Sequence, residues 1–251
     1  MNITTGLTAA LLGCAASGAL AQGFTGAEVS LGYSTFTGDY EGDALNLGGS
    51  GEFALTRQIG VQLDFGYTDF GEVNGVDDSD LSALNFTLHA VYTINESGSV
   101  GLFYGREELT ADDGTDEASD SSDFVGVELG YAFDAVSFEM YYAKALDELI
   151  DDAAIYGVSG AFDVNGLFEV TADYDRVDSG SDIDASSASV GIAYEVLPNI
   201  TLEGEIGSAG FVTDRGDLTE TFVGIGATYT FGAEGGATFD RRGLAREVPG
   251  F

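Results

Sequence analysis

The stretch Thr219-Glu220-Thr221-Phe222-Val223-Gly224-Ile225-Gly226-Ala227-Thr228-Tyr229-Thr230-Phe231-Gly232 decides how the chain reads. Successive side chains of a strand point to opposite faces. Thr221, Val223, Ile225, Ala227, Tyr229 and Phe231 therefore share one face, which is apolar and ends in Tyr-x-Phe. Phe222, Gly224, Gly226, Thr228 and Thr230 share the other, which is small and mostly polar.

The same alternation recurs along the chain. Ala27, Val29, Leu31 and Tyr33 oppose Glu28, Ser30, Gly32 and Ser34. Val61, Leu63, Phe65 and Tyr67 oppose Gln62, Asp64, Gly66 and Thr68. Phe168, Val170, Ala172 and Tyr174 oppose Glu169, Thr171 and Asp173. Period 2 predicts β-strands, and the pattern gives twelve of about ten residues each, the length that crosses a bilayer at a tilt. The segments around Val100–Tyr104 and Tyr156–Phe162 are the least regular, the first because Phe103 falls on the polar parity.

Connections alternate as well. Thr56–Gln58, Asn95–Gly98, Asp134-Ala135, Asn165-Gly166 and Leu197–Asn199 are short. Thr37–Asp43, Asp69–Asp80, Glu107–Asp123, Asp147–Asp152, Asp175–Asp184 and Phe211–Leu218 read as long, acidic loops. Aromatics on the apolar parity gather in two rings. Phe53, Tyr92, Phe133, Phe138, Phe162, Phe168, Tyr194, Tyr229 and Phe231 lie near the short turns. Tyr33, Tyr67, Phe86, Tyr142, Tyr156 and Tyr174 lie near the long loops. A soluble sandwich has no reason to sort aromatics by height, whereas a transmembrane barrel needs them at both interfaces. The expected fold is an all-β, closed, antiparallel up-and-down barrel, with short periplasmic turns and long acidic extracellular loops. Closure follows because lipid cannot satisfy an open strand edge.

Three segments divide the chain: a signal over 1–21, a barrel over 22–231 and a basic periplasmic tail over 232–251. The first ends in Ala19-Leu20-Ala21, a small-x-small cleavage pattern. It holds the single cysteine, Cys14. Leu11-Leu12-Gly13-Cys14 resembles a lipoprotein box, which leaves lipidation of Cys14 as an alternative to cleavage after Ala21.

The formal net charge is −35, which excludes nucleic acid as a partner because phosphate binding needs a basic surface. Glu28, Glu52, Asp64, Glu128, Glu139, Glu169, Asp173, Glu195, Glu203 and Glu205 fall on the interior parity and form the expected pore lining. Arg106, Lys144 and Arg176 lie near loop ends. Unpaired carboxylates do not survive in a dry interior, so this lining predicts a wet, cation-attracting lumen. Abundant glycine, 37 residues in all, falls largely on the interior parity and leaves room inside a narrow barrel.

The whole pattern resembles bacterial outer-membrane β-barrels, and within them the small porins and porin-like proteins of Gram-negative bacteria. The terminal strand, with Val223, Ile225, Ala227, Tyr229 and Phe231, resembles the insertion signal read by the barrel-assembly machinery, although Phe231 does not end the chain. The resemblance implies passive diffusion of small hydrophilic solutes through a cation-preferring channel. Two alternatives stand beside it: a non-conducting structural or surface-interaction barrel, and an outer-membrane lipid hydrolase. Outer-membrane phospholipases of similar size need a His and Ser pair at the lipid-facing rim. His89, the single histidine, falls on the interior parity, so no catalytic residue is assigned and no enzyme is expected.

No metal-ligand spacing or cofactor motif is present. The expected partners are outer-membrane lipids and the barrel-assembly machinery. Divalent cations at the acidic loops, chiefly Ala111–Asp123, and a second copy of the chain are further candidates. Arg241, Arg242 and Arg246 cluster in the tail. Two readings of it stay open: a loose periplasmic tail, as termini usually are, and a segment that folds back to plug the acidic lumen.

Overall fold

The computed structural model describes residues 23–38, 42–71, 80–112, 117–146, 153–179, 183–213, 216–232 and 236–244. The signal segment, Cys14 and Arg246 lie outside them. Twelve strands run in chain order: β1 (Phe24–Phe36), β2 (Asp43–Ala54), β3 (Ile59–Phe70), β4 (Asp80–Asn95), β5 (Gly98–Asp112), β6 (Glu117–Phe133), β7 (Val136–Ala145), β8 (Ala154–Asp163), β9 (Phe168–Asp178), β10 (Ile183–Leu197), β11 (Ile200–Thr213) and β12 (Gly216–Gly232). Each pairs antiparallel with its sequence neighbours, and β1 closes on β12 from Gly26↔Gly232 to Phe36↔Phe222. The barrel therefore has no edge strand to expose in lipid.

The expected outward parity faces out. Leu31, Leu63, Leu88, Leu102, Val190, Ile192 and Ile225 are all exposed large hydrophobics. Such a surface matches the apolar band of a membrane barrel. The short-turn girdle is a set of ring pairs: Phe24 with Phe53 at 5.6 Å, Phe168 with Tyr194 at 4.4 Å, and Tyr229 with Phe231 at 5.9 Å.

Four points refine the expectation. The strands span 10 to 17 residues, and all but β7, β8 and β9 are longer than the bilayer requires. Much of the supposed loop sequence is strand: β5 pairs with β6 as far as Asp112↔Glu117, and β11 with β12 as far as Thr213↔Gly216. Polar, acidic residues still make ladder hydrogen bonds where the hairpin rises beyond the apolar band, and hydropathy does not report that. The interior, moreover, is not uniformly small and polar. Phe103, Phe124, Tyr141, Ala143 and Ile155 form one buried cluster, and Phe36, Ala209 and Phe222 another. Inward rings sit directly opposite glycines, Phe103↔Gly126, Phe124↔Gly105 and Phe222↔Gly207, where a Cβ would overlap the ring. Lastly, Arg106, Lys144 and Arg176 share the parity of outward-facing neighbours. Arg106 lies 3.6 Å from Asp123, and Arg176 lies 3.2 Å from Asp184.

The candidate lumen site

The ten carboxylates expected to line the pore fall into three groups. Glu52, Asp64, Glu128 and Glu139 belong to the β2–β7 wall. Glu28, Glu169, Asp173, Glu203 and Glu205 line a cavity of about 460 Å³ along β1 and β9–β12. Glu195 instead sits at the β10–β11 turn, where its Oε1 accepts from the Asn199 N–H at 3.4 Å.

The centre of the first group is dry, against the expectation of a wholly wet lumen, while Glu139 stays partly exposed. Asp64 and Glu128 are fully buried or nearly so. His89 bridges them, with Nε2 2.8 Å from Asp64 Oδ2 and Nδ1 2.7 Å from Glu128 Oε1. Two such bonds require two protons among three groups, and an imidazolium between two carboxylates provides them. Gln62 Nε2 donates to Asp64 Oδ1 at 2.9 Å. Gln62 and Asp64 are two residues apart on the inner face of β3, and the register sets His89 directly opposite Gln62.

The second compensating cation comes from the tail. Beyond Gly232 (φ 110°) and Gly236 (φ 141°), conformations open to glycine but rarely to other residues, residues 236–244 run up the inside of the barrel. The N–H of Thr238 donates to Glu52 Oε2 at 2.8 Å, and that of Phe239 to Gln62 Oε1 at 3.1 Å. Gln62 Nε2 returns a bond to the Phe239 carbonyl at 2.8 Å. The N–H of Asp240 donates to Glu139 Oε2 at 3.2 Å, and Thr87 Oγ1 donates to the Arg242 carbonyl at 3.0 Å. Arg242 donates to Glu128 Oε2 at 3.3 Å and pairs with Glu139. Its guanidinium lies 4.2 Å from the Tyr141 ring centre, within cation–π range. Arg241 Nη1 donates to Ser30 Oγ at 2.7 Å.

The described part of the tail is thus docked in the lumen rather than loose. Interior glycines make the space. A Cβ at Gly26 would strike the Gly236 backbone, one at Gly48 the Arg241 guanidinium, and one at Gly101 the Phe239 ring.

Sequence reasoning missed Asp175 and Glu107, which also line the cavity. Both fall in acidic stretches that read as loop, whereas they stand on β9 and β5. Tyr141 Oη donates to Asp175 Oδ1 at 3.0 Å. The role of His89 was missed too, though counting the β3–β4 hairpin register would have placed it beside Gln62. Among the described residues no group of three or more His, Cys, Asp or Glu is arranged to hold a metal ion. Most of the acidic stretch 111–123 belongs to β5 and β6, and 113–116 lie outside the described residues.

Residues 7–195 match the family described as the outer membrane protein beta-barrel domain. The chain belongs to this family. It is a bacterial outer-membrane barrel, with its apolar parity in lipid. No curated protein matches it. Among solved structures it is similar to the KdgM porin, with TM-score 0.56, 11% identity, and 81% of this chain against 99% of that one. It is also similar to the COG4313 outer membrane channel from Pseudomonas putida F1, with TM-score 0.55, 14% identity, and 83% against 96%. LpxR from Salmonella typhimurium is a third, with TM-score 0.53, 12% identity, and 81% against 100%. At these identities the likeness is one of fold.

Proposed function

We propose that this barrel is an outer-membrane channel for passive diffusion of small hydrophilic solutes, and that it prefers cations. One observation carries the reading. The cavity beside the docked tail is lined by Glu28, Glu107, Glu169, Asp173, Asp175, Glu203, Glu205 and Asp240, with Arg241 and Arg242 as its basic members. A passage with that balance concentrates cations and repels anions. The cavity follows β1 from the level of Glu28 to that of Ser34, roughly 20 Å at strand rise. The names of the KdgM porin and the COG4313 channel support a transport role on this fold.

The alternative of a barrel closed to solutes draws on one observation, the tail itself, whose Phe239 and Arg242 are buried within the lumen. The lipid-hydrolase alternative loses support: both ring nitrogens of His89 are held by carboxylates inside the barrel, away from the lipid-facing rim.

The test is charge neutralisation. The triple variant Glu169→Gln, Glu203→Gln, Glu205→Gln keeps the side-chain shapes and removes three carboxylates from the cavity. In planar bilayers its reversal potential in a KCl gradient is expected to move toward zero, with conductance little changed. An unaltered reversal potential would remove the acidic cavity from the selectivity argument.

A further inference from the structure

We infer that the inner wall of β2–β7 is a peptide-binding site, and that its ligand is the chain's own Gly236–Leu244 segment, a detachable plug. The wall offers recognition of a specific chemistry. Gln62 forms a reciprocal pair of hydrogen bonds with the Phe239 backbone, and Glu52 and Glu139 accept the N–H groups on either side of it. The Phe239 ring lies over His89, with ring centres 6.4 Å apart and planes 16° apart, in a seat cleared by Gly101 and Gly130. Glu128 and Glu139 clamp Arg242 while Tyr141 stacks beneath it. Leu244 packs against the Phe103 cluster. The site therefore selects an extended segment with an aromatic residue three positions before an arginine.

The segment is a ligand rather than a piece of the barrel scaffold. It contributes no strand to the sheet, so every β-pairing survives its departure. The wall groups that bind it are mostly carboxylates, an amide and hydroxyls, which water can satisfy in its place. It enters from the short-turn end, where Gly232 closes β12 against Gly26. Its departure would add Glu52, Asp64, Glu128 and Glu139 to the lining of the existing cavity and remove Arg241 and Arg242. The unplugged barrel is then both wider and more acidic.

The binding claim is independent of conduction; the widening claim rests on the channel reading above. Trypsin tests the first, because a protease cannot enter the lumen. In the full-length protein in detergent, cleavage after Arg241 and Arg242, followed by mass spectrometry, is expected to be slow. It is expected to rise at least about tenfold, as an opening equilibrium is released, in the double variant Glu128→Gln, Glu139→Gln. Gly130→Leu, which keeps every charge and fills the seat of Phe239, is expected to do the same. Fast cleavage in the unaltered protein, or slow cleavage in both variants, would overturn the site.

Conductance tests the second. Deletion of 233–251 is expected to raise single-channel current, and a synthetic peptide of residues 236–244 is expected to lower it again. Unchanged current on deletion, or no response to the peptide, would overturn the plug. If the unaltered and deleted proteins are both silent, the channel reading fails, and the trypsin pattern still decides the binding site.

Discussion

His89 joins the inner faces of three strands. It ties Asp64 of β3 to Glu128 of β6, across its own strand β4 and the neighbouring β5, and Arg242 meets the other oxygen of Glu128. Removing one partner of a buried ion pair leaves an uncompensated charge, at about 3–5 kcal/mol. His89→Ala is therefore expected to lower the stability of the barrel by about that amount, read as a drop in the urea midpoint in detergent micelles. A midpoint equal to that of the unaltered protein would mean that water reaches Asp64 and Glu128. Residue parity alone assigns ten carboxylates to one interior set, and it does not single out Glu195 at the β10–β11 turn. It did not separate those that need a cation from those that face water. That distinction depends on which wall the tail covers, and the covering residues lie more than a hundred positions away: Gln62 and Phe239, or Glu139 and Arg242.

At the scale of single elements, the alternation in β12 is the most legible feature. Val223, Ile225 and Tyr229 are exposed on its outer face, and Phe222 is fully buried within. Ile225 stands mid-strand, where an arginine on the lipid face costs about 2–4 kcal/mol. Ile225→Arg is expected to reduce the folded fraction in urea titrations in lipid vesicles. No change would argue that this face does not meet lipid. Strand ends were less legible. The acidic residues Glu107–Asp112 and Glu117–Asp123 read as loop, yet they form a paired hairpin. Backbone pairing there is inherited from the apolar part of β5 and β6 below it, and charge does not forbid it on a solvated ribbon. The inward aromatics had a usable signal, an aromatic directly opposite a glycine on the neighbouring strand. That signal appears only once the register is counted.

At the scale of the whole molecule, a chain of net charge −35 sorts its interior charge by side. One side sets His89 and Arg242 against its carboxylates and is covered by the tail. The other keeps its carboxylates along a cavity of about 460 Å³. Closure, strand number and lipid-facing parity could all be read from periodicity, because a membrane imposes them locally on every strand. The docking of residues 236–244 could be posed as a question from composition, since three of the chain's eight basic residues follow the last strand of an acidic barrel. The answer required three dimensions, because it depends on glycines at 26, 48, 101 and 130 lining up on four different strands.

The central claim, a passage through an acidic lumen, is tested most directly by the reversal potential of the purified full-length protein in a planar bilayer under a KCl gradient. Discrete channels are expected, with a reversal potential displaced toward that of K⁺. A reversal potential displaced toward that of Cl⁻ would contradict it, as would a bilayer that stays silent with both the full-length protein and the protein lacking 233–251.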